Sequence, residues 1–307
     1  MNRLLTRNPA AVTPQQLPPV ARSGGVRMLL INSNNLGFST QAAQLRVATQ
    51  RRDDVDAVHV DVVHPTWARV LGKTVRPMRG WDLSAWRYLL MYRHIVRRWL
   101  RGPLPLDRFD VVQITTQGIG MAIADLKASG VRGTKFAVYV DSTAALEVRE
   151  FGFPALAAAP MRAAERRIFD AADLVVCMSR WVAASLAGDY GVRPERLFAA
   201  PGCVNIPAAR PSPPGEGQLP RILFVGNDWR RKGGPRLLAM HQKHFADRAE
   251  LHVVSAAAPH RASAATERNV VWHGRVPRDR LLGDLLPAMD LLALPTATDM
   301  SPWAVLE

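Results

Sequence analysis

Residues 221–235 read RILFVGNDWRRKGGP, in the order of a strand, a turn and a helix start. RILFV is an apolar run of strand length. It stops at Gly226, three consecutive cations and a glycine pair follow, and Pro235 suits the first position of a helix, where its missing N–H is no loss. Lys232, Gly233 and Gly234 then stand at a helix N-terminus, where unpaired N–H groups and the positive end of the dipole favour an anion. Glycines admit an oxygen-rich group close to the backbone, and Lys232 with Arg230 or Arg231 adds full charge. These are the physics of a phosphate cradle, although GxxxxGK[ST] is not matched. The competing reading is a solvated turn with incidental cations.

Upstream, apolar runs VRMLLI (26–31), DAVHVDVV (56–63), FDVVQI (109–114), KFAVYV (135–140) and DLVVCM (173–178) alternate with segments of helical length such as 39–51, 119–129 and 158–170. This is βαβ grammar and predicts a mostly parallel, doubly wound sheet. NIPAARPSPPGEGQLP (205–220) has the composition of a linker. Beyond RILFV come a helix from about 235, LHVVS (251–255), NVVWH (269–273), a helix near 278–286 and DLLALP (290–295). The expected organisation is a disordered lead-in over 1–24, a Rossmann-like domain over 25–204, the linker 205–220 and a second Rossmann-like domain over 221–307. Two such domains are expected to face one another across a cleft. The second reads as incomplete, since the chain stops just after a new helix should begin.

The chain has 307 residues and a net charge of +14, which asks for an anionic partner without choosing one. Residues 64–108 interrupt the alternation with ten Arg or Lys against two Asp. Within them, SAWRYLLMYRHIVRRWLR (84–101) plots as a basic amphipathic helix, suited either to packing on its own domain or to an anionic membrane surface. No helix-turn-helix spacing, zinc pattern or RNP-like aromatic strand accompanies the charge, which argues against nucleic acid. Cys177 and Cys203 stand far apart without a metal-ligand spacing, so neither a disulfide framework nor a zinc site is indicated. No run is long and apolar enough for a membrane span, and a cytoplasmic protein, peripheral at the membrane, is expected.

TDMSPWAVLE (298–307) supplies the counterpart to the cations. Ser301 and Pro302 look like the N-cap and first residue of a helix, with Asp299 on the loop before it and Glu307 further along. Carboxylates at the carboxyl edge of a doubly wound sheet suit vicinal hydroxyls, because one anion accepts two O–H bonds. Together with the cradle they describe a nucleotide-sugar site. Other signals are weaker. QGIGMAIA (117–124) follows the third strand rather than the first and lacks the third small residue of a dinucleotide fingerprint. Asp54 and Asp56 precede a strand, His241 and His244 read as exposed helix residues, and no motif requires a metal or a bound cofactor.

AAERRIFDAADLVVCMSRWVAASLAGDYGVRPERLFAAPGCVN (163–205), ILFVGNDWRRKGG (222–234) and VVWHGRVPRDRLLGDLLPAMDLLALPTATDMSPWAVLE (270–307) resemble the GT-B glycosyltransferases of family 4. The resemblance implies an α/β GT-B fold and a retaining enzyme moving a sugar from a nucleotide diphosphate. It implies that Lys232, with Arg231, stabilises the leaving diphosphate, that Glu307 takes the ribose hydroxyls and that Asp299 takes the sugar. Gly37, Asn227, Arg230, Gly233, Gly274, Arg275 and Ser301 complete the donor-binding set, and Asp141 follows a strand where the family often has a His-Asp pair. Asn227 replaces the family's usual basic residue, leaving the second cation open between Arg230 and Arg231.

The resulting expectation is a metal-independent hexosyltransferase using a UDP- or GDP-sugar. Its acceptor would be a saccharide or a lipid-linked sugar of cell-surface polysaccharide or glycolipid, with helix 84–101 at the membrane. Cut short at Glu307, the chain is expected to be poorly active. The rivals are a catalytically inactive GT-B remnant docking on membrane or nucleic acid, and a nucleotide-sugar epimerase on the same fold.

Overall fold

The computed structural model describes residues 24–33, 38–62, 93, 106–202, 218–256, 267–297, 299–300 and 302–306. The lead-in up to residue 23, Gly37, most of the basic insert, the linker to residue 217, Ser301 and Glu307 lie outside the described residues. The chain divides into two compact units, Met1–Asn205 and Ile206–Glu307.

The first unit is a six-stranded parallel sheet in the order β2-β1-β3-β4-β5-β6. Its strands are β1 Val26–Ser33, β2 Val55–Val62, β3 Val111–Thr115, β4 Lys135–Val140, β5 Leu174–Cys177 and β6 Leu197–Ala199. The helices are α1 Phe38–Gln50, α2 Gln117–Ala128, α3 Ala144–Phe151, α4 Ala155–Ala171 and α5 Arg180–Tyr190. One sheet face is dry: Leu29, Ile31, Ile114, Phe136 and Val138 are fully buried in one cluster with Ile119, Ile168 and Phe169 from the helices. Each such side chain contributes about 1.5–3 kcal/mol on burial.

Caps set the helix limits. Thr143 and Ser179 accept from the N–H groups of Leu146 and Val182, each at 3.2 Å, at the starts of α3 and α5. Gly152 and Gly191 end the same helices in the left-handed region. α3 and β6 go beyond the sequence expectation, because one is short and the other too brief to show a period. Asp56 lies inside β2 rather than ahead of it.

Glu165 of α4 ties the helices together. Its carboxylate is 1% exposed and accepts from Ala144 N with both oxygens at 3.1 Å, from Gln117 Nε2 at 3.2 Å and from the Tyr190 hydroxyl. Tyr190 Oη in turn accepts from Ala145 N at 3.2 Å. One side chain thus joins the starts of α2 and α3 to the end of α5.

The second unit is a four-stranded parallel sheet in the order β10-β7-β8-β9. The strands are β7 Arg221–Val225, β8 Glu250–Val254, β9 Val270–Gly274 and β10 Leu291–Leu292. α6 spans Gly234–His244 and α7 spans Trp303–Leu306. The helix expected near 278–286 is irregular: an α turn at Arg278–Arg280 passes into a π turn at Leu281–Leu285 and a 3-10 turn at Leu286–Ala288. Pro287 has no N–H to give to the carbonyl of residue 283, so the α ladder cannot continue there. His241 is not exposed as expected. It is 1% exposed, and its Nε2 meets the Ala249 carbonyl at 2.9 Å, tying α6 to the start of β8.

Arg93 is the one described residue of the basic helix. Its guanidinium forms a two-pronged bond to Asp125 of α2, both contacts at 2.8 Å, so this member of the basic arc faces its own protein.

Burial pushes the Glu165 carboxyl up to about 7. A raised carboxyl contributes stability that is full below its ordinary value of 4.5 and is lost as the pH rises through about 7. His59, pushed down to about 4 by burial and Arg46, acts oppositely, losing its contribution as the pH falls. The two separate in a mutant comparison. Raising the pH from about 5 to about 8 should lower the thermal midpoint of the wild type more than that of Glu165→Gln, which carries no proton to lose. Parallel pH profiles of the two would show that Glu165 does not titrate in this range.

Candidate functional site

The site in the second unit is built where β7 and β10, adjacent in the sheet through Ile222↔Leu291 and Leu223↔Leu292, deliver their loops to the carboxyl edge. After β7, Gly226 N donates to Val254 O at 2.9 Å. The loop then folds Trp229 inward, edge-on to Phe224 at 5.1 Å and against Trp272 at 5.4 Å. This aromatic group occupies the space beside Gly234: a Cβ at 234 would lie 2.0 Å from Trp229 Cε3. At Gly233, φ is +82° and a Cβ would lie 1.9 Å from the Pro295 carbonyl oxygen.

These contacts revise the reading of the glycine pair. Both glycines are demanded by the protein's own backbone and aromatic packing. The N–H groups of Gly233 and Gly234 are also spent, donating to Arg230 O at 3.1 Å and Trp229 O at 2.9 Å. Gly233 is the N-cap and Pro235 falls at the second helical position. The charge available to an anion therefore comes chiefly from side chains.

Lys232 and Arg231 supply it. The Lys232 stem crosses Gly226, whose hypothetical Cβ would meet Lys232 Cγ at 2.9 Å. Lys232 Nζ pairs with Asp299 Oδ2, and the two side chains retain 16% and 13% exposure. Arg231 reaches the same oxygen with a guanidinium nitrogen at 3.6 Å while its Nε holds Asp228 at 3.1 Å. The Arg231 carbonyl accepts from Ala297 N at 2.9 Å and Thr296 Oγ1 at 3.2 Å. Residues 231–232 and 296–299 are thereby strapped together although about one fifth of the chain separates them.

The structure thus brings Lys232, Arg231 and Asp299 together and leaves Arg230 exposed beside them. Asn227 is also exposed, and its Oδ1 accepts from Ala256 N at 3.4 Å, linking the loops after β7 and β8. Gly274 ends β9 at a bulge with φ +65°, and Arg275 follows it at the mouth of a pocket of about 160 Å³ that His273, Arg280 and Asp284 also line. His273 Nε2 lies 3.0 Å from His252 Nδ1, and His252 Nε2 lies 3.3 Å from Glu250. Burial, then His252 and Arg280, pull the His273 imidazole below its ordinary value. The histidine pair escaped the sequence reading, because the two residues lie on different strands and form no local motif.

In the first unit Asp141 leaves the carboxyl end of β4, and burial pushes its carboxyl up to about 6. Glu147, in the first turn of α3, is pushed up to about 7 by burial and by Asp141. Glu147 was also missed; its sequence signal is the acidic residue four positions after the Thr143 cap. Among the described residues no group of three or more His, Cys, Asp or Glu is arranged to hold a metal ion, and no helix is long and apolar enough to cross a membrane.

Comparison with known proteins identifies the fold and the family. Three solved structures share the fold across both units. The apo form of a lipopolysaccharide outer core galactosyltransferase, WaaB, matches with a TM-score of 0.58 at 13% identity, over 92% of this chain and 77% of that one. Sucrose-phosphate synthase from Thermosynechococcus elongatus matches at 0.58 and 14%, over 91% and 77%. The catalytic domain of starch synthase IV from Arabidopsis thaliana, bound to ADP and acarbose, matches at 0.57 and 9%, over 91% and 79%. At these identities the likeness is one of fold, two Rossmann-like units of the GT-B kind. No curated protein matches the chain. The family model described as Glycosyltransferase Family 4 matches residues 12–206, well over half of the sequence, and the chain belongs to that family of glycosyltransferases.

Proposed function

We propose that this glycosyltransferase moves a hexosyl group, with retention, from a UDP- or GDP-sugar to a saccharide or lipid-linked acceptor of cell-surface polysaccharide or glycolipid. The observation that carries the donor half is the convergence of Lys232 and Arg231 on Asp299 from two loops at one sheet edge. Two cations side by side suit a diphosphate, and a carboxylate beside them suits sugar hydroxyls. Starch synthase IV, of the same fold, is bound to ADP and acarbose, a nucleotide and a saccharide.

In the reaction the bond between the anomeric carbon and the phosphate oxygen breaks, and its electron pair stays on the diphosphate. Lys232, mostly withdrawn from water, and the more exposed Arg231 stabilise that growing charge. The acceptor oxygen bonds to the anomeric carbon and passes its proton to the departing diphosphate. In this reading Asp299 orients the sugar, Glu307 holds the ribose, and Gly274 and Arg275 lie toward the base beside the pocket of His273. Asn227, Arg230 and Ser301 flank the donor, while Gly37 and Asp141 belong to the first unit's side of the reaction. Docking of the 84–101 stretch on an anionic membrane face completes the proposal and rests on its charge alone.

Two substitutions test the donor site. Lys232→Ala should lower turnover, measured as sugar release or transfer from UDP- and GDP-sugars, by about 10²–10³-fold in protein that circular dichroism shows to be folded. Undiminished turnover would sink the assignment. Gly233→Ala should cost roughly 2 kcal/mol or more in urea unfolding, since the new Cβ meets backbone and adopts a disfavoured φ, and should weaken nucleotide binding in the same measurement series. Wild-type behaviour in both would show that the loop is not held as described.

A further inference from the structure

The stretch that reads as concentrated positive charge is nearly neutral once folded. Arg230, Arg231 and Lys232 carry three positive charges, and Asp228 and Asp299 return two negative ones through the ion pairs of Arg231 and Lys232. Asp299 is the telling member. Lys232 and Arg231 reach the same atom, Oδ2, as two cations would reach one phosphate oxygen. The side chains of Lys232 and Asp299 are mostly withdrawn from solvent, so water screens their attraction only in part. An incoming anion would meet Asp299 as a like charge at the point where the cations are strongest.

We propose that Asp299 is a resident stand-in for the donor's phosphate: its carboxylate occupies the position between Lys232 and Arg231 that a phosphate oxygen requires, so a diphosphate binds by exchange, displacing Asp299 from the cations. The released carboxylate is then free to accept hydroxyls of the sugar. Binding of the nucleotide part and engagement of the sugar become one event, and a diphosphate without a sugar bears the cost of displacement with no return. The inference rests on the donor reading of this site and adds to it an exchange that a simple cradle lacks.

Asp299→Asn removes the charge and keeps the shape. Calorimetric titration of the full chain with inorganic pyrophosphate, UDP and GDP should show pyrophosphate, and whichever nucleoside diphosphate the wild type prefers, binding about three- to tenfold tighter to Asp299→Asn. The gain should vanish when Lys232→Ala is combined with it, since the coupling runs through that pair. With the matching nucleotide-sugar the gain should be smaller or reversed. Asp299→Ser serves as a second variant should the amide disturb folding, with the same tightening of pyrophosphate expected. Equal or weaker pyrophosphate binding by a folded Asp299 variant, alongside measurable wild-type binding, would overturn the exchange alone. Absence of pyrophosphate, UDP and GDP binding from wild type and variants would overturn the donor reading and the exchange together.

Discussion

The approach of residue 233 to the Pro295 carbonyl governs the second unit. With no room for a β-carbon on that side, and Trp229 closing the other side at Gly234, the loop after β7 is wedged between an aromatic cluster and the segment after β10. From that wedge follow the strap between Arg231 and residues 296–297, the course of Lys232 over Gly226, and the meeting of Lys232 with Asp299. Interiors are close-packed and respond to a single added methyl, so the charged groups inherit their precision from apolar and backbone contacts beneath them.

The first unit is organised on the opposite principle, around a polar group. Glu165 sits where the starts of α2 and α3 and the end of α5 converge, and its acceptors are filled by a backbone N–H, an amide and a phenol. Buried polar groups of this kind stabilise only when every partner is present. Asp141 and Glu147 lie close enough to influence one another, so this sheet edge gathers carboxyl groups that hold their protons more firmly than carboxyls in water. Among the described residues the two units thus present unlike chemistry at their carboxyl edges, carboxyl groups in the first and a mixture of cations and carboxylates in the second.

Much of this was legible in the sequence. RILFV and KFAVYV coincide with strands, the other apolar runs fall on strands with bounds shifted by up to three residues, and the βαβ alternation correctly implied two parallel sheets. Lys232 and Asp299, distant in the chain, could be placed on one edge because loops after parallel strands gather there. What remained hidden depended on tertiary contacts. The glycine pair looked like an accommodation to a ligand, and only the positions of Trp229 and Pro295 reveal the internal reason. His241 reads as a surface residue of a helix until the Ala249 carbonyl is placed beside it. The pairing of Arg231 with Asp228 and of Lys232 with Asp299 is likewise a tertiary fact, since sequence places the carboxylates near the cations without showing that they neutralise them.

The sheet gives the two halves of the proposed donor site unequal footing. Among the described residues, Lys232 follows β7, which is paired on both sides, whereas Asp299 follows β10, a strand of two residues joined to β7 at two register positions. A strand held by few pairings opens more easily than one paired along its length. The cationic wall is thus the anvil of the proposed site and the acidic wall its spring, and a rearrangement that separates them is expected to move Asp299 while the lysine loop stays in place.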